Sequence, residues 1–286
     1  MLALVDASDT SADRESDHPW WPPDPDTIAL PIVCKPSPFL WFAAALFGLM
    51  APLCFCIGLF PQWIDPTAPW PLELRIPFIV IGGLITWVFV TLRIFLRTTT
   101  LDRSGVSIRS WLGGAETRLR WDDVRFLDLG LTHQSSTLEF GDDLARRQGL
   151  SASFHLGFRD AVAGFRAFVV PRLAYDVAER IAVGDAVTFP QWTPLTLERT
   201  KRRPPKHFLR VDSRGIEARL IRRSLELAWS DVTGYVVLSE HAGILTSPKG
   251  EIPIDATISN GLALLATLPA LLAAHGIEQD GAARSS

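Results

Sequence analysis

The sequence predicts an α+β protein in which a two-helix transmembrane hairpin leads into two β-rich units, each closed by a C-terminal helix. Three observations carry this. Residues 39–60 and 76–92 contain no charged side chain, and about 20 predominantly apolar residues suffice for a helix to cross a bilayer. Beyond them, short runs alternate apolar with polar residues, the period of half-buried strands. Finally, the phrase "LDRSGVSIRS" at 101–110 is echoed by "VDSRGIEARL" at 211–220, and "LRWDDVRFLDL" at 119–129 by "LAWSDVTGYVVL" at 227–238, which marks a duplicated unit.

Composition supports the membrane assignment: 48% of the 286 residues are hydrophobic, with 10 Trp and 21 Pro. Residues 1–37 form an acidic, Ser- and Pro-rich leader without apolar periodicity and are expected to be disordered. Within it, Trp20, Trp21, Pro22 and Pro23 read as a docking motif for a partner, or as an interfacial aromatic anchor or a solvated tail. The first five residues lack a basic flank and precede Asp6 and Asp9, so no secretory signal is expected.

The hairpin occupies 38–97, with spans at about 39–60 and 76–96. Ile94, Phe95 and Leu96 extend the second span past Arg93, which can snorkel to the headgroups. Trp41, Trp63, Trp70 and Trp87 fall near the span ends, where indoles collect. Lys35, Arg93, Arg97, Arg103 and Arg109 flank the hairpin outside its loop, whereas residues 61–75 hold only Arg75. Positive residues stay with the cytoplasm, so both termini are expected there. Cys34, Cys54 and Cys56 suggest no disulfide framework.

The first unit is expected at 98–185. Val106 and Ile108 alternate with polar neighbours, Gly113 and Gly114 turn the chain into "TRLRW", and residues 124–129 and 137–140 continue the period. "ASFHLGF" and "FRAFVV" read as two more strands. A helix then starts at Pro171, places Leu173, Val177 and Ile181 on one face and ends at Gly184. A linker spans 186–206. The second unit, 207–278, offers strands at 216–221, 224–229, 232–238, 244–246 and 251–254, with a Ser247-Pro248-Lys249-Gly250 turn. It is shorter than the first, having lost strands or the first having gained loops. Its closing helix begins near Ser259 and is apolar nearly all round, which predicts burial against the second unit or a partner copy. Pro269 should kink or split it.

A transmembrane hairpin followed directly by "TTTLDRSGVSIRSWLGGAETRLRWDDVRFLDL" resembles the membrane-anchored bacterial proteins that carry pleckstrin-homology-like domains. The residues that carry the resemblance are Leu101, Asp102, Gly105 and Val106 with Trp121, Asp122 and Val124. In the second copy they are Val211, Asp212, Gly215 and Ile216 with Trp229, Ser230 and Val232, where the likeness is thinner. The resemblance implies two half-open β-barrels, each closed by a C-terminal helix, on the cytoplasmic side of a bacterial inner (plasma) membrane. It also implies a role in interaction or assembly without chemistry.

No residue pattern argues for catalysis. His133, His155, His207, His241 and His275 make no metal-ligand spacing, and no nucleophile elbow, phosphate loop or dinucleotide fingerprint occurs. His155 near Arg159 and Asp160 reads as a satisfied surface cluster at a strand end, and Asp122-Asp123 as a local turn rather than a metal pair. Residues 39–60 and 76–92 hold no ionisable residue of the kind that marks a transport path. Ala44 with Gly48, and Gly82 with Gly83, would let helices approach closely.

Catalytic, cofactor and metal residues are therefore not assigned. The candidate contacts to anionic lipid are Arg93, Arg97, Lys201, Arg202, Arg203 and Lys206, each worth about 1 kcal/mol beside a charged bilayer; the last four also read as a solvated linker with Glu198 nearby. Arg214, Arg219, Arg222 and Arg223 cluster too, but a net charge of −3 and the lack of any DNA-binding motif argue against nucleic acid. The function expected is a membrane-anchored, non-enzymatic interaction or assembly module. It touches lipid through its spans and binds a protein partner or itself as a homo-oligomer. The alternatives are a membrane-associated enzyme with an unrecognised active site in the cytosolic region, or an anionic-lipid sensor.

Overall fold

The computed structural model describes residues 22–60, 71–110, 116–131, 136–142, 147–190, 207–220, 224–239, 241–277 and 279–280. The chain is α+β, with antiparallel sheets that do not close into a barrel.

The first strand precedes the hairpin. β1 (Ile32–Pro36) alternates buried and exposed residues and pairs antiparallel with β2 (Arg97–Asp102), Ile32 opposite Leu101 and Cys34 opposite Thr99. Between them run α1 (Pro38–Leu59) and α2 (Leu72–Phe95), both long and apolar enough to cross a membrane. The hairpin is therefore an insertion between adjacent strands. Residues 32–36, expected within a disordered leader, are core strand instead: Ile32 and Cys34 bury their side chains, and pairing with β2 on one side and with residues 155–156 on the other satisfies the backbone. Residues 1–21 lie outside the described residues.

The joints are one residue long. Ser37 caps α1, its hydroxyl accepting from Leu40 N–H at 3.4 Å, with Pro38 at the first helical position. Leu96 alone separates α2 from β2 and is buried with Leu40 and Ala44, against Phe89 and Phe154. This cluster fixes the hairpin on the first unit.

Within the hairpin, Gly82 lies against the Phe55 ring, where an added Cβ would stand 3.2 Å away. Arg75 donates from Nε to Gly58 O and from Nη2 to Leu59 O, both at 2.9 Å. A cation from the start of α2 thus satisfies the last carbonyls of α1.

The first unit continues with β3 (Gly105–Ser110) and β4 (Thr117–Arg120), then β5 (Phe126–Leu131), β6 (Ser136–Gly141) and β7 (Gln148–Ser151). A two-residue β8 (His155–Leu156) pairs with β1, giving a sheet ordered β4-β3-β2-β1-β8 beside a second ordered β5-β6-β7. Two helices follow, α3 (Phe158–Phe168) and α4 (Val170–Ala182). The run "FRAFVV" is thus helical, not a strand. Phe158, Ala161, Phe165 and Ala167 are buried at helical spacing, and that face packs on the sheet. As expected, α4 stops at Gly184, which adopts φ 92°, with Gly184 N–H on Ile181 O and Asp185 N–H on Arg180 O.

The second unit repeats the plan. Its sheet is ordered β12-β11-β10-β9, from β9 (Val187–Pro190), β10 (Phe208–Val211), β11 (Gly215–Arg219) and β12 (Ser224–Ala228). β13 (Gly234–Ser239), β14 (Ala242–Ser247) and β15 (Gly250–Asp255) form the other meander, and α5 (Gly261–Ala274) closes it. Residues 187–190, expected in the linker, are the counterpart of β1: Val187 and Phe189 are buried and face Val211 and Leu209. Once β9 is counted, the second unit has lost no strand of this plan. The first adds β8 and α3.

One apolar core runs through both units. α5 is buried on nearly every face, including Leu262, Leu264, Leu265, Leu268 and Leu272, each worth about 1.5–3 kcal/mol. It packs between α4 and the second unit's own strands, and continues through Pro269 without splitting. The fully packed turns before Pro269 and buried Leu272 after it hold the helix together where the proline removes a backbone donor.

Candidate functional site

The repeated phrases fold into the same lock twice. In the first unit Asp102 Oδ1 accepts from Ser104 N–H (2.7 Å) and Gly105 N–H (3.0 Å), which closes the β2–β3 turn. Trp121 Nε1–H then donates to Asp102 O at 2.9 Å. In the second, Asp212 Oδ1 accepts from Arg214 N–H (2.8 Å) and Gly215 N–H (3.1 Å), and Trp229 Nε1–H donates to Asp212 O at 3.0 Å. A Cβ at Gly105 or Gly215 would run into the carbonyl of Leu119 or Leu227 on the neighbouring strand. Only glycine permits that approach.

Each tryptophan also meets the closing helical layer. Trp121 stacks on Phe168 (5.1 Å) and meets Phe165 edge-on (5.4 Å), while Trp229 stacks on His275 at 5.4 Å. The motif that carries the family resemblance therefore holds turn, strand and helix together. Its carboxylate is engaged within the turn: the hydroxyl and N–H of Ser104 hold Asp102 below the usual carboxylate range. Shallow grooves lie beside both turns, one including Arg103, Arg118 and Arg120, the other Arg210 and Arg214.

The outer edge of β5 is where the units meet. Leu127 N–H donates to Asn260 Oδ1 (2.8 Å), while Asn260 N–H (2.9 Å) and the Ser259 hydroxyl (2.8 Å) donate to Asp128 Oδ1. Asn260 has φ 55°, a left-handed conformation that asparagine tolerates better than most residues. At the corresponding positions of β13, Tyr235 and Val236 pair in parallel with Gln279 and Asp280 of β16 (Gln279–Asp280). Both edges are thus covered, one by the other unit and one by the C-terminal chain.

Asp128 is buried to 1% exposure, and Oδ2 has no hydrogen-bond partner. Burial pushes its pKa up to about 6, against the pull of the bonds from Asn260 and Ser259; Glu139, its cross-strand neighbour, adds repulsion, and Arg147 offsets some of it. Arg147 itself pairs with Glu139 at 3.2 Å. A buried acid at a seam gives the seam a pH dependence.

A groove of about 920 Å³ lies between α4 and α5, lined mainly by alanine, proline and aromatic side chains, with Arg172 at its edge. Arg172 donates to Val124 O and pairs with Asp176 at 3.4 Å. No sequence pattern signals this groove, because it needs small residues on helices far apart in the chain.

Of the lipid-contact candidates, Arg97 opens β2 and donates from Nη1 to Gln148 Oε1 at 2.9 Å. Arg93 lies on α2, its side chain outside the described part, and Lys201, Arg202, Arg203 and Lys206 lie outside the described residues altogether. Chain topology nonetheless relates them. Arg93 lies in the helix that leads into β2, and 201–206 immediately precede the strand segment of β10, so both groups sit in the connection between the first two strands of a unit.

The other candidates do not converge. His155 is buried and its Nδ1 accepts from Ser151 N–H at 3.2 Å, while Arg159 and Asp160 are exposed on α3. Asp122 pairs with Arg120 at 3.6 Å on the surface. Arg219 lies over the Phe208 ring at 5.2 Å. Among the described residues no group of three His, Cys, Asp or Glu side chains is arranged to hold a metal. In the hairpin, Gly48 faces Phe89 and Gly82 faces Phe55, whereas Gly83 has open space beside it.

No protein-family model matches the chain, and no curated protein matches it.

Proposed function

We propose that the chain is a membrane-anchored, non-enzymatic interaction or assembly module, whose two pleckstrin-homology-like units face the cytoplasm of a bacterial cell and dock a protein partner or a second copy. The observation that carries this reading is the insertion of the hairpin between β1 and β2 through the single residues Ser37 and Leu96. Such joints hold the first unit at a fixed attitude to the bilayer, and the shared core extends that constraint to the second. A presented scaffold gains from this rigidity. Duplicated sheets and helices supply surface for it, with the turn residues engaged structurally.

The test is cross-linking in native membranes followed by isolation of the full chain. A discrete, reproducible protein, or a second copy, joined to the units supports the module. Recovery of the uncross-linked monomer alone, together with a substrate-dependent turnover by the purified chain, contradicts it.

A second reading, contact with anionic lipid, is favoured by the place of the basic segment. Residues 191–206 connect β9 to β10 where the hairpin connects β1 to β2. Four cations there would contribute about 4 kcal/mol beside an anionic bilayer. Accessibility of this segment to a soluble protease should fall when full-length protein moves from zwitterionic to anionic nanodiscs. Equal cleavage in both excludes the reading.

A further inference from the structure

The seam between α4 and α5 is open along part of its length. Ala174 and Ala178 of α4 and Ala266 and Ala270 of α5 line the 920 Å³ groove, and methyl side chains on both helices leave the space that larger ones would fill. Thr267 also lines it, with its hydroxyl engaged by the carbonyls of Ala263 (2.8 Å) and Ala174 (3.2 Å). The ligand such a groove takes is apolar and broad.

The leader reaches this groove. Pro22, Pro23, Asp24 and Pro25 line it, and Pro22 is buried. From there the chain passes α3, packs Ile28 and Leu30 on the core and enters β1. Pro22 thus sits in the groove wall, and the two residues before it in the sequence are Trp21 and Trp20. At about 3.8 Å between successive Cα atoms, both indoles are within reach of its walls. Proline after Trp21 biases it to an extended backbone, and proline-flanked extended segments recur as ligands of apolar grooves. Two indoles would remove roughly 300–500 Å² from water.

We propose that the groove is the docking site of the chain's own leader, with Trp20 and Trp21 as anchors, and that the leader straps the two units together across their seam. The strap is independent of what the module binds.

The test uses the full chain in detergent micelles, with Cys54→Ala, Cys56→Ala and Ala178→Cys to place a thiol in the groove wall. Cys34 stays silent, because its side chain is fully buried and out of reach of a bulky maleimide. Adding Trp20→Ala and Trp21→Ala should speed labelling of the groove thiol by a bulky hydrophilic maleimide roughly tenfold or more. Trp20→Phe with Trp21→Phe should restore most of the protection. Equal rates with and without the indoles overturn the proposal. Labelling that accelerates on dilution assigns the groove to the leader of a second copy, which also overturns it. So does equal acceleration at a distant Lys249→Cys control, since the effect would then be general loosening.

Discussion

Asp128→Asn isolates the buried acid at the seam. Asparagine keeps an oxygen for the Ser259 hydroxyl and Asn260 N–H, which reach Oδ1 at 2.8 and 2.9 Å, and removes the charge. In the native chain the carboxyl titrates near 6, against an ordinary value of 3.8. Because the folded value lies above the unfolded one, the stabilising contribution is complete below the unfolded value and is lost as pH rises through the folded one. The whole effect is about 3 kcal/mol, of which about 1.4 kcal/mol falls between about pH 5 and about pH 7.5. Thermal unfolding of the full chain in micelles should therefore show a wild-type midpoint roughly 3–5 °C lower at the higher pH, beyond any change in the variant. The new amide donor faces the place of Oδ2, which has no partner. A constant penalty of about 1–3 kcal/mol is expected from it at both pH values. Identical pH dependence in the two proteins would refute the assignment of a raised acid to this seam.

Other perturbations test other joints. Trp121→Phe should keep most of the packing on Phe165 and Phe168 but lose the bond to Asp102 O. It should cost about 1–3 kcal/mol in thermal unfolding, with Trp229→Phe behaving alike. Gly105→Ala should destabilise by more than about 1 kcal/mol, since its Cβ meets the Leu119 carbonyl; full stability in the same assay would show that the strands can part there. Arg75→Leu removes both donors from the end of α1 and should raise the maleimide reactivity of Cys56 in its last turn. In intact cells an impermeant maleimide should label Thr67→Cys, whereas Lys249→Cys should require permeabilisation; labelling of Lys249→Cys from outside would invert the proposed orientation.

What could be read from the sequence follows from how far each interaction reaches along the chain. The Asp-to-Gly turns are local, and tryptophan returns to each turn within the same meander, so both stood out as repeated phrases. The apolar spans and the all-round burial of α5 follow from composition within one helix. β1 was hidden because the hairpin separates "IVCKP" from its partner β2, leaving five residues beside an acidic tail. β9 was hidden in the same way by residues 191–206. Asp128 sits at a position that alternation assigns to solvent, and only Ser259 and Asn260 of the other unit bury it. "FRAFVV" is apolar enough for either structure, and its helical phase shows only when Phe158 and Ala161 are included.

The central claim is that the spans are an insertion within the first β-unit, not a tether ahead of it. Cys34 and Thr99 face each other across β1 and β2, both with buried side chains. In a chain carrying Thr99→Cys, Cys54→Ala and Cys56→Ala, with a protease site placed in the loop at 61–70, oxidation should join Cys34 to the new thiol. After cleavage the two fragments should then stay together until reduced, while Thr100→Cys, opposite Val33, should leave them separate. Fragments that part without reductant in the Thr99→Cys chain would show that the strand before the hairpin does not pair with the strand after it, and would contradict the account.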